Sequence, residues 1–460
     1  MINATLETEG TAEVVIKPAS EIPFFAPPGS SDGSSDAAFF KDPTHVFMEG
    51  YRKYGPVFRV KLFGREQIAM GGLDANKFTW TNHELWNYYK TNRHFREQFS
   101  DRYLNQLEGK EYTAKRRRML PGFRPSVIMP HTGKMSEAIF KEIDSLPDGV
   151  TNLRIFCMQT IIAMMARVLI QKDLPDGMSE TMAISNKEML KSASLGWKRW
   201  LWYWYPPKRM RRRKVFKYLA SILDEREGNK GPEKEDILSA VLQARDPDGP
   251  PIPRYEMIHD LSQLFMAGST TSSMIVAWSL IHTYMDESWL KELREELEPW
   301  DPYNFNTIEP YPKLRATTLE IERLRPGVPV FNRMTAKSFT YGGYEIPGDA
   351  DVLHLHTLTH FLEDIYTEPD RFNPSRYIED PDLPARDVHG TFGGGKHKCM
   401  GSPLARIQPP LFTADVVKYY DIEFITKPSM KAKYDAAVAP AEEPLLVRFH
   451  KRKELPERPE

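Results

Sequence analysis

The chain has 460 residues, of which 41% are hydrophobic and 27% charged, the ordinary balance of a soluble globular protein. A formal net charge of −1 gives the whole chain no electrostatic basis for nucleic-acid binding. With only Cys157 and Cys399 present, a disulfide framework and a four-cysteine zinc site are both excluded.

At the N-terminus, residues 1–20 lack a basic stretch followed by an apolar one, so no signal peptide is expected. Residues 1–45 read as irregular, with Pro-Pro-Gly and several serines marking a loop within 25–35. The alternation over 57–63, after the turn Tyr54-Gly-Pro, predicts a strand. From about 85 to 240 the pattern is helical, broken at Tyr205-Pro-Pro-Lys. Within it the apolar run 155–170, interrupted by Gln159 and Arg167, is too short and polar to span a bilayer and predicts a core helix. The turn Asp246-Pro-Asp-Gly-Pro-Pro precedes a helix over about 255–284, apolar on every face, which should cross the interior. Amphipathic helices are expected over 288–298 and 314–324 and a strand-turn-strand at Thr340-Tyr-Gly-Gly-Tyr-Glu-Ile-Pro-Gly-Asp. A long Pro- and Gly-rich loop should cover 370–398, with helix resuming near Ser402 and a charged, disordered tail over 451–460. The expected architecture is one mainly α domain with a small β part over 46–450, soluble and cytoplasmic, without a transmembrane helix.

The sharpest local feature is Phe392-Gly393-Gly394-Gly395-Lys396-His397-Lys398-Cys399-Met400-Gly401. Glycines let backbone approach a large flat ligand or take positive φ. The basic neighbours of Cys399 favour a thiolate, and backbone N–H groups in such a turn can face the sulfur. A soft metal centre fits this; so, on composition alone, does a flexible loop holding a buried free cysteine.

The segment resembles the haem-binding loop of the cytochrome P-450 superfamily, F-x-x-G-x-x-x-C-x-G, at Phe392, Gly395, Cys399 and Gly401. Other segments match in order. Glu320-Ile-Glu-Arg323-Leu-Arg-Pro326 resembles E-x-x-R-x-x-P, whose Glu and Arg share a helix face. Pro369-Asp-Arg371-Phe372-Asn-Pro374-Ser-Arg-Tyr resembles P-x-R-F-x-P-x-R, and the resemblance implies a buried triad of Glu320, Arg323 and Arg371. Ala267-Gly268-Ser-Thr270-Thr271-Ser resembles A-G-x-[D/E]-T-[T/S]. There Thr271 would relay protons to dioxygen, and a mid-helix glycine suits a flat, bulky neighbour. Thr270 replaces the usual acid, which puts the proton route in question and leaves a water chain as substitute. The bland reading of both threonines is a side-chain bond to the i−4 carbonyl. Tyr112, Arg116 and Phe123 fill a further pattern. By resemblance Tyr112 and Arg116 would hold one haem propionate, and Arg333 and His397 the other. His360 also fits by position, which disfavours a zinc reading of His354, His356 and His360.

The resemblance implies a triangular helical prism with haem b between the long central helix and the Cys399 loop. It also implies oxidation of an apolar small molecule of terpenoid, steroid, fatty-acid or secondary-metabolite type by dioxygen. No dinucleotide fingerprint precedes a helix, so electrons are expected from a separate ferredoxin or flavodoxin with its reductase; Lys396, Lys398 and Arg406 could mark the docking face. Over 197–214, four tryptophans and a basic run leave three readings open: an aromatic channel entrance, a patch on a membrane or carrier, or core packing. Two other functions stay open: a haem-thiolate coupling or rearrangement catalyst that inserts no oxygen, and a non-enzymatic membrane or nucleic-acid binder.

Overall fold

The computed structural model describes residues 16–192, 198–228, 235–244, 252–305, 307–385, 390–435 and 437–453. Trp197, the whole of the 246–251 turn and most of the 451–460 tail lie outside them. The helices that position the site are, in chain order, α1 (Leu73–Thr81), α2 (Tyr88–Thr91), α3 (Gly109–Met119), α4 (Thr132–Asp144), α5 (Leu153–Leu169), α6 (Met178–Lys191), α7 (Arg199–Trp204), α8 (Pro206–Gly228), α9 (Arg254–Met285), α10 (Pro312–Leu324), α11 (Arg376–Glu379) and α12 (Gln408–Tyr419).

The 32-residue α9 is the axis of the molecule, about 48 Å long at the usual helical rise. It is long and apolar enough to cross a membrane, but 78% of its most apolar stretch is buried inside the fold, so it is the core helix that its apolar faces predict. The helix α5 packs along it, capped by the Asn152 side chain, which accepts from the Arg154 N–H. The core is continuous from Ile139 on α4 through Ile161 and Met165 on α5 and Val276 and Trp278 on α9 to Leu411 and Val417 on α12.

The β part includes strands β1 (Val57–Leu62), β2 (Arg65–Gly71), β3 (Phe331–Met334), β4 (Phe339–Tyr341), β5 (Tyr344–Ile346) and β6 (Asp351–Leu355). Four of them form one sheet in the order β1-β2-β6-β3. The β1–β2 hairpin is antiparallel, with Val57 opposite Met70; β2 runs parallel to β6, with Ile68 opposite Val352; β3 is antiparallel to β6. The expected strand-turn-strand is β4–β5, joined by Gly342 and Gly343, both at positive φ.

Two expectations need correction. The described part of the N-terminal segment, from residue 16 on, is not irregular throughout, since Asp36–Lys41 forms a short helix, and it packs onto the sheet. The Phe25 N–H donates to Arg59 O at 2.8 Å and the Ser35 N–H to Lys61 O at 2.7 Å, which pairs the outer edge of β1. Phe25 and Phe39 are buried against Phe58, Val60 and Leu62. The long loop over 370–398 also contains a helical turn, α11, whose first residue proves important.

Candidate active site

Cys399 sits in a loop whose backbone closes on itself. Its N–H donates to Phe392 O at 2.9 Å and the Lys398 N–H donates to Gly395 O at 3.2 Å. Gly393 and Gly395 both have positive φ. The crowding that requires Gly394 and Gly395 comes from α1: a Cβ on Gly394 would lie 2.3 Å from the Trp80 ring, and one on Gly395 would lie 2.0 Å from the Trp80 carbonyl oxygen. These glycines admit a protein neighbour, where the sequence suggested a flat ligand.

The Cys399 side chain lies deep among protein groups, yet its surface is accessible. Burial pushes its thiol up; the Gly401 N–H, Arg116, the Ser402 N–H and Lys398 act in the opposite direction. The loop is held from α3. Arg116 Nη2 donates to Lys398 O at 2.7 Å, Arg116 Nη1 donates to the Tyr112 hydroxyl at 3.1 Å, and that hydroxyl donates to Lys396 O at 2.8 Å.

The His397 ring is sandwiched between Tyr88, 3.7 Å away at 15°, and Tyr112, 4.1 Å away at 29°. Burial, then Arg333, Arg116, Lys396 and His83, lower its pKa to about 3. Arg333, on β3, lies over the Tyr88 and Phe331 rings. Its Nη1 donates to Asn332 O, its Nε has no partner, and burial depresses its pKa. Among the described residues, no salt bridge involves Arg116, Arg333, Lys396 or His397. Cations gathered in a partly buried place without a carboxylate are costly, and an anionic group would offset that cost. Tyr88 completes this cluster; a lone tyrosine in a helical stretch carries no sequence signal for it.

Across the fold, α9 is buried on most sides but exposes Ala267 in mid-course and leaves Leu264, Gly268 and Thr271 half-buried. These positions share a helix face. Thr270 is buried. Both threonine hydroxyls donate to the i−4 carbonyl: Thr270 to Met266 O at 2.9 Å, Thr271 to Ala267 O at 3.0 Å. The accessible face therefore receives Thr271 and not Thr270. Gly327, just after α10, sits so close to Thr271 that a Cβ there would lie 2.9 Å from the threonine Cβ. A Cβ on Gly268 would fall 2.6 Å from Met165 Cε on α5, the free end of a flexible side chain that can turn aside.

Beneath the loop, Glu320 and Arg323 are fully buried and paired through two bonds of 2.9 Å. The third member is Arg376, at the start of α11, whose Nε lies 3.3 Å from Glu320 Oε2. The expected Arg371 instead points outward, 68% exposed, and pairs with Glu368; only its carbonyl meets Arg323. Arg323 Nη1 also donates to His360 O and Pro369 O. The His360 ring spans from the Arg323 carbonyl, 3.1 Å from Nδ1, to the Gly390 N–H, which donates to Nε2 at 3.0 Å. The acceptor role of Nε2 places the ring proton on Nδ1. The ion pair is thus tied to the chain two residues before Phe392. His354 turns elsewhere, its Nε2 against Asn76 Oδ1 at 2.8 Å, and the His356 ring stacks on Phe331 at 4.0 Å.

A soft sulfur donor on one side, an accessible helix face on the other and unneutralised donors at one edge suit a flat metal-bearing macrocycle with carboxylate arms. Haem b fits this donor set: Cys399 would hold the iron, and Arg116, Tyr112, Arg333 and His397 would hold the propionates.

The family model described as Cytochrome P450 matches residues 37–448. The chain is 24% identical over 433 residues to the lanosterol 14-alpha demethylase of Bos taurus, covering 90% of this chain and 85% of that protein. It is 27% identical over 234 residues to the sterol 14alpha-demethylase of Mycolicibacterium vanbaalenii, covering 48% of this chain and 51% of that one. A solved structure titled "Retinoic acid bound cyanobacterial CYP120A1" superimposes with a TM-score of 0.79 at 20% identity, covering 91% of this chain and 96% of the other.

Proposed function

Because the chain belongs to the cytochrome P450 family, and so is a haem-thiolate monooxygenase that binds haem b, we propose that Cys399 is its iron ligand and that it oxidises a rigid apolar molecule of sterol or terpenoid size. When bound, the haem supplies the iron at which dioxygen is reduced and from which oxygen reaches substrate. This chain's residues supply the rest. The Gly401 and Ser402 N–H groups temper the charge on Cys399 Sγ. Arg116 and Tyr112 fix the loop that carries it. Arg333 and His397 receive carboxylate arms. Ala267 leaves room on α9, and Thr271 passes a proton from its hydroxyl. The observation that carries this reading is the pairing of an accessible Cys399 with partly buried cations that no described acid neutralises.

The substrate class is supported by the relatives, which are sterol demethylases, and by the structural neighbour, which binds retinoic acid. Electrons come from a redox partner; a ferredoxin or flavodoxin fits, because Lys398 and Arg406 lie exposed on and just after the Cys399 loop and would attract an acidic protein. The carbon monoxide difference spectrum of the reduced protein tests the ligand: a Soret band near the position that gives the family its name is expected, and a well-folded protein without haem would overturn the assignment. Sterols and terpenoids should then shift the spin state, and a complete lack of response would overturn the substrate class.

One observation favours a second reading, a coupling or rearrangement catalyst. Between Asp260 and Asp286 the core helix carries no acid, and the Thr270 hydroxyl is buried and committed to Met266 O. Product formed under labelled dioxygen decides: label in the product supports monooxygenation, and unlabelled product supports coupling.

A further inference from the structure

Lys208 and Arg212 stand one turn apart on α8, and both reach residue 98. Lys208 Nζ donates to Gln98 Oε1 at 3.3 Å, and Arg212 Nη2 donates to the Gln98 carbonyl. The Lys208 ammonium also lies 4.5 Å from the centre of the Tyr203 ring of α7, and the Arg212 guanidinium 4.5 Å from that of Phe216. Lys208 is only 4% exposed, and Arg212 Nε is buried without a partner. Among the described residues neither side chain forms a salt bridge. Burial, then Arg212, brings Lys208 down to about 8, and burial lowers Arg212.

The acids around the pair are already committed. Glu97 receives Arg199 through bonds of 2.8 and 2.9 Å, and Glu188 pairs with Arg211. On α9, Glu256 pairs with Arg102 at 2.8 Å and Asp260 with Lys115 at 2.9 Å. The His259 ring meets the Phe216 ring edge-on at 4.9 Å, but burial, then Arg212 and Lys115, bring it down to about 4, so it is neutral at pH 7. Like charges at i and i+4 oppose each other on a helix. Taking each out of water without an anion adds to that cost. One anionic group held by both would offset it, and an ammonium beside a guanidinium suits a planar carboxylate.

The neighbours of the pair place it. Phe99, next to Gln98, packs with Met189 of α6 and Met266 of α9, and Met266 directly precedes the exposed Ala267. The pair therefore lies close to the accessible face of the core helix and is itself almost closed to bulk water. An anion reaching it there would arrive on the molecule that occupies that face. We propose that Lys208 and Arg212 bind a carboxylate of the substrate, so that the molecule oxidised is an apolar acid held by its charged end. The inference rests on the substrate class proposed above and adds an acid group to it.

The test is a spin-state titration of the full-length, haem-loaded protein with abietic acid, a rigid tricyclic terpenoid acid, and with its methyl ester. The acid should bind about tenfold or more tighter than the ester. Lys208→Met with Arg212→Met should remove that preference and leave the ester within about threefold of the parent. Lys208→Arg should retain the preference. Thermal unfolding gives a second readout: the acid should stabilise the parent more than the ester does, and the double variant no more than the ester does. The parent's carbon monoxide difference spectrum in each variant separates a lost subsite from a lost fold; should the double variant not fold, Lys208→Met alone should weaken the acid and spare the ester. Equal binding of acid and ester by the parent overturns the proposal, as does a preference that survives the double variant. Inorganic phosphate in excess should leave the acid bound; displacement would show a general anion site and overturn the assignment to substrate. No response to either compound would overturn the substrate class and the proposal with it, whereas a response to the ester alone overturns only the proposal.

Discussion

At the scale of single residues, the structure separates groups that the sequence leaves equivalent. Arg371 and Arg376 lie five positions apart in one motif, and either could complete a triad with Glu320 and Arg323. The exposed Arg371–Glu368 pair is worth under about 0.5 kcal/mol. Arg376→Leu strips a buried carboxylate of a partner and should cost about 1–3 kcal/mol. Denaturant unfolding of the two variants should therefore differ clearly, with Arg371→Leu near the parent. The threonine pair splits in the same way. Thr271→Ala should uncouple reductant consumption from product, whereas Thr270→Val should leave coupling within about twofold, because its hydroxyl is turned into the packed side of α9. Equal uncoupling in both would return the acid-position role to Thr270. The motif made Cys399, Glu320, Arg323 and Arg116 legible. Which arginine of its motif would turn inward was not, because side-chain direction at a helical turn leaves no pattern in the chain, and neither was Tyr88, because ring stacking leaves none.

At the scale of elements, periodicity served well where burial is one-sided or complete. The core helix, the helix over 312–324 and the strand at 57–62 lie within a few residues of expectation. The short strand β6 has no counterpart among the expected elements, since residues buried on both faces show no alternation. Glycines were legible as required but not as to cause, because what crowds them comes from distant elements. The two α1 contacts make a paired test. Gly394→Ala meets the Trp80 ring, so Trp80→Ala should restore haem content to a Gly394→Ala variant. Gly395→Ala meets the Trp80 carbonyl, which every residue at position 80 has, so no substitution there should rescue it. Haem-to-protein absorbance ratios of the four variants check this; rescue of Gly395→Ala by Trp80→Ala would contradict it.

At the scale of the whole molecule, buried ionisable groups set how stability responds to pH. Burial holds His282 and His356 at about 3, His94 and His259 at about 4, and His354 well below its ordinary value. Their folded pKa values are depressed, so below the unfolded histidine pKa of about 6.5 the unfolded chain takes up protons that the folded one refuses, and stability falls with pH. Burial raises Asp260 to about 6, Asp415 to about 7 and Glu322 to about 8, which acts in the opposite sense above the ordinary carboxylate range. Five histidines outweigh three acids between pH 6.5 and about 4.5. The urea midpoint should therefore drop on going from pH 7 to pH 5, and a midpoint that rises would show the acids to dominate. The mainly α fold with a small β part was legible from composition and pattern; the packing of residues 16–45 was not, since a segment with so little periodicity gives no sign of what it packs against. Yet the bonds from Phe25 and Ser35 pair the outer edge of β1. A chain shortened to begin near residue 46 would bare that strand's N–H and C=O groups beside the apolar pocket vacated by Phe25 and Phe39, an open template for edge-to-edge aggregation.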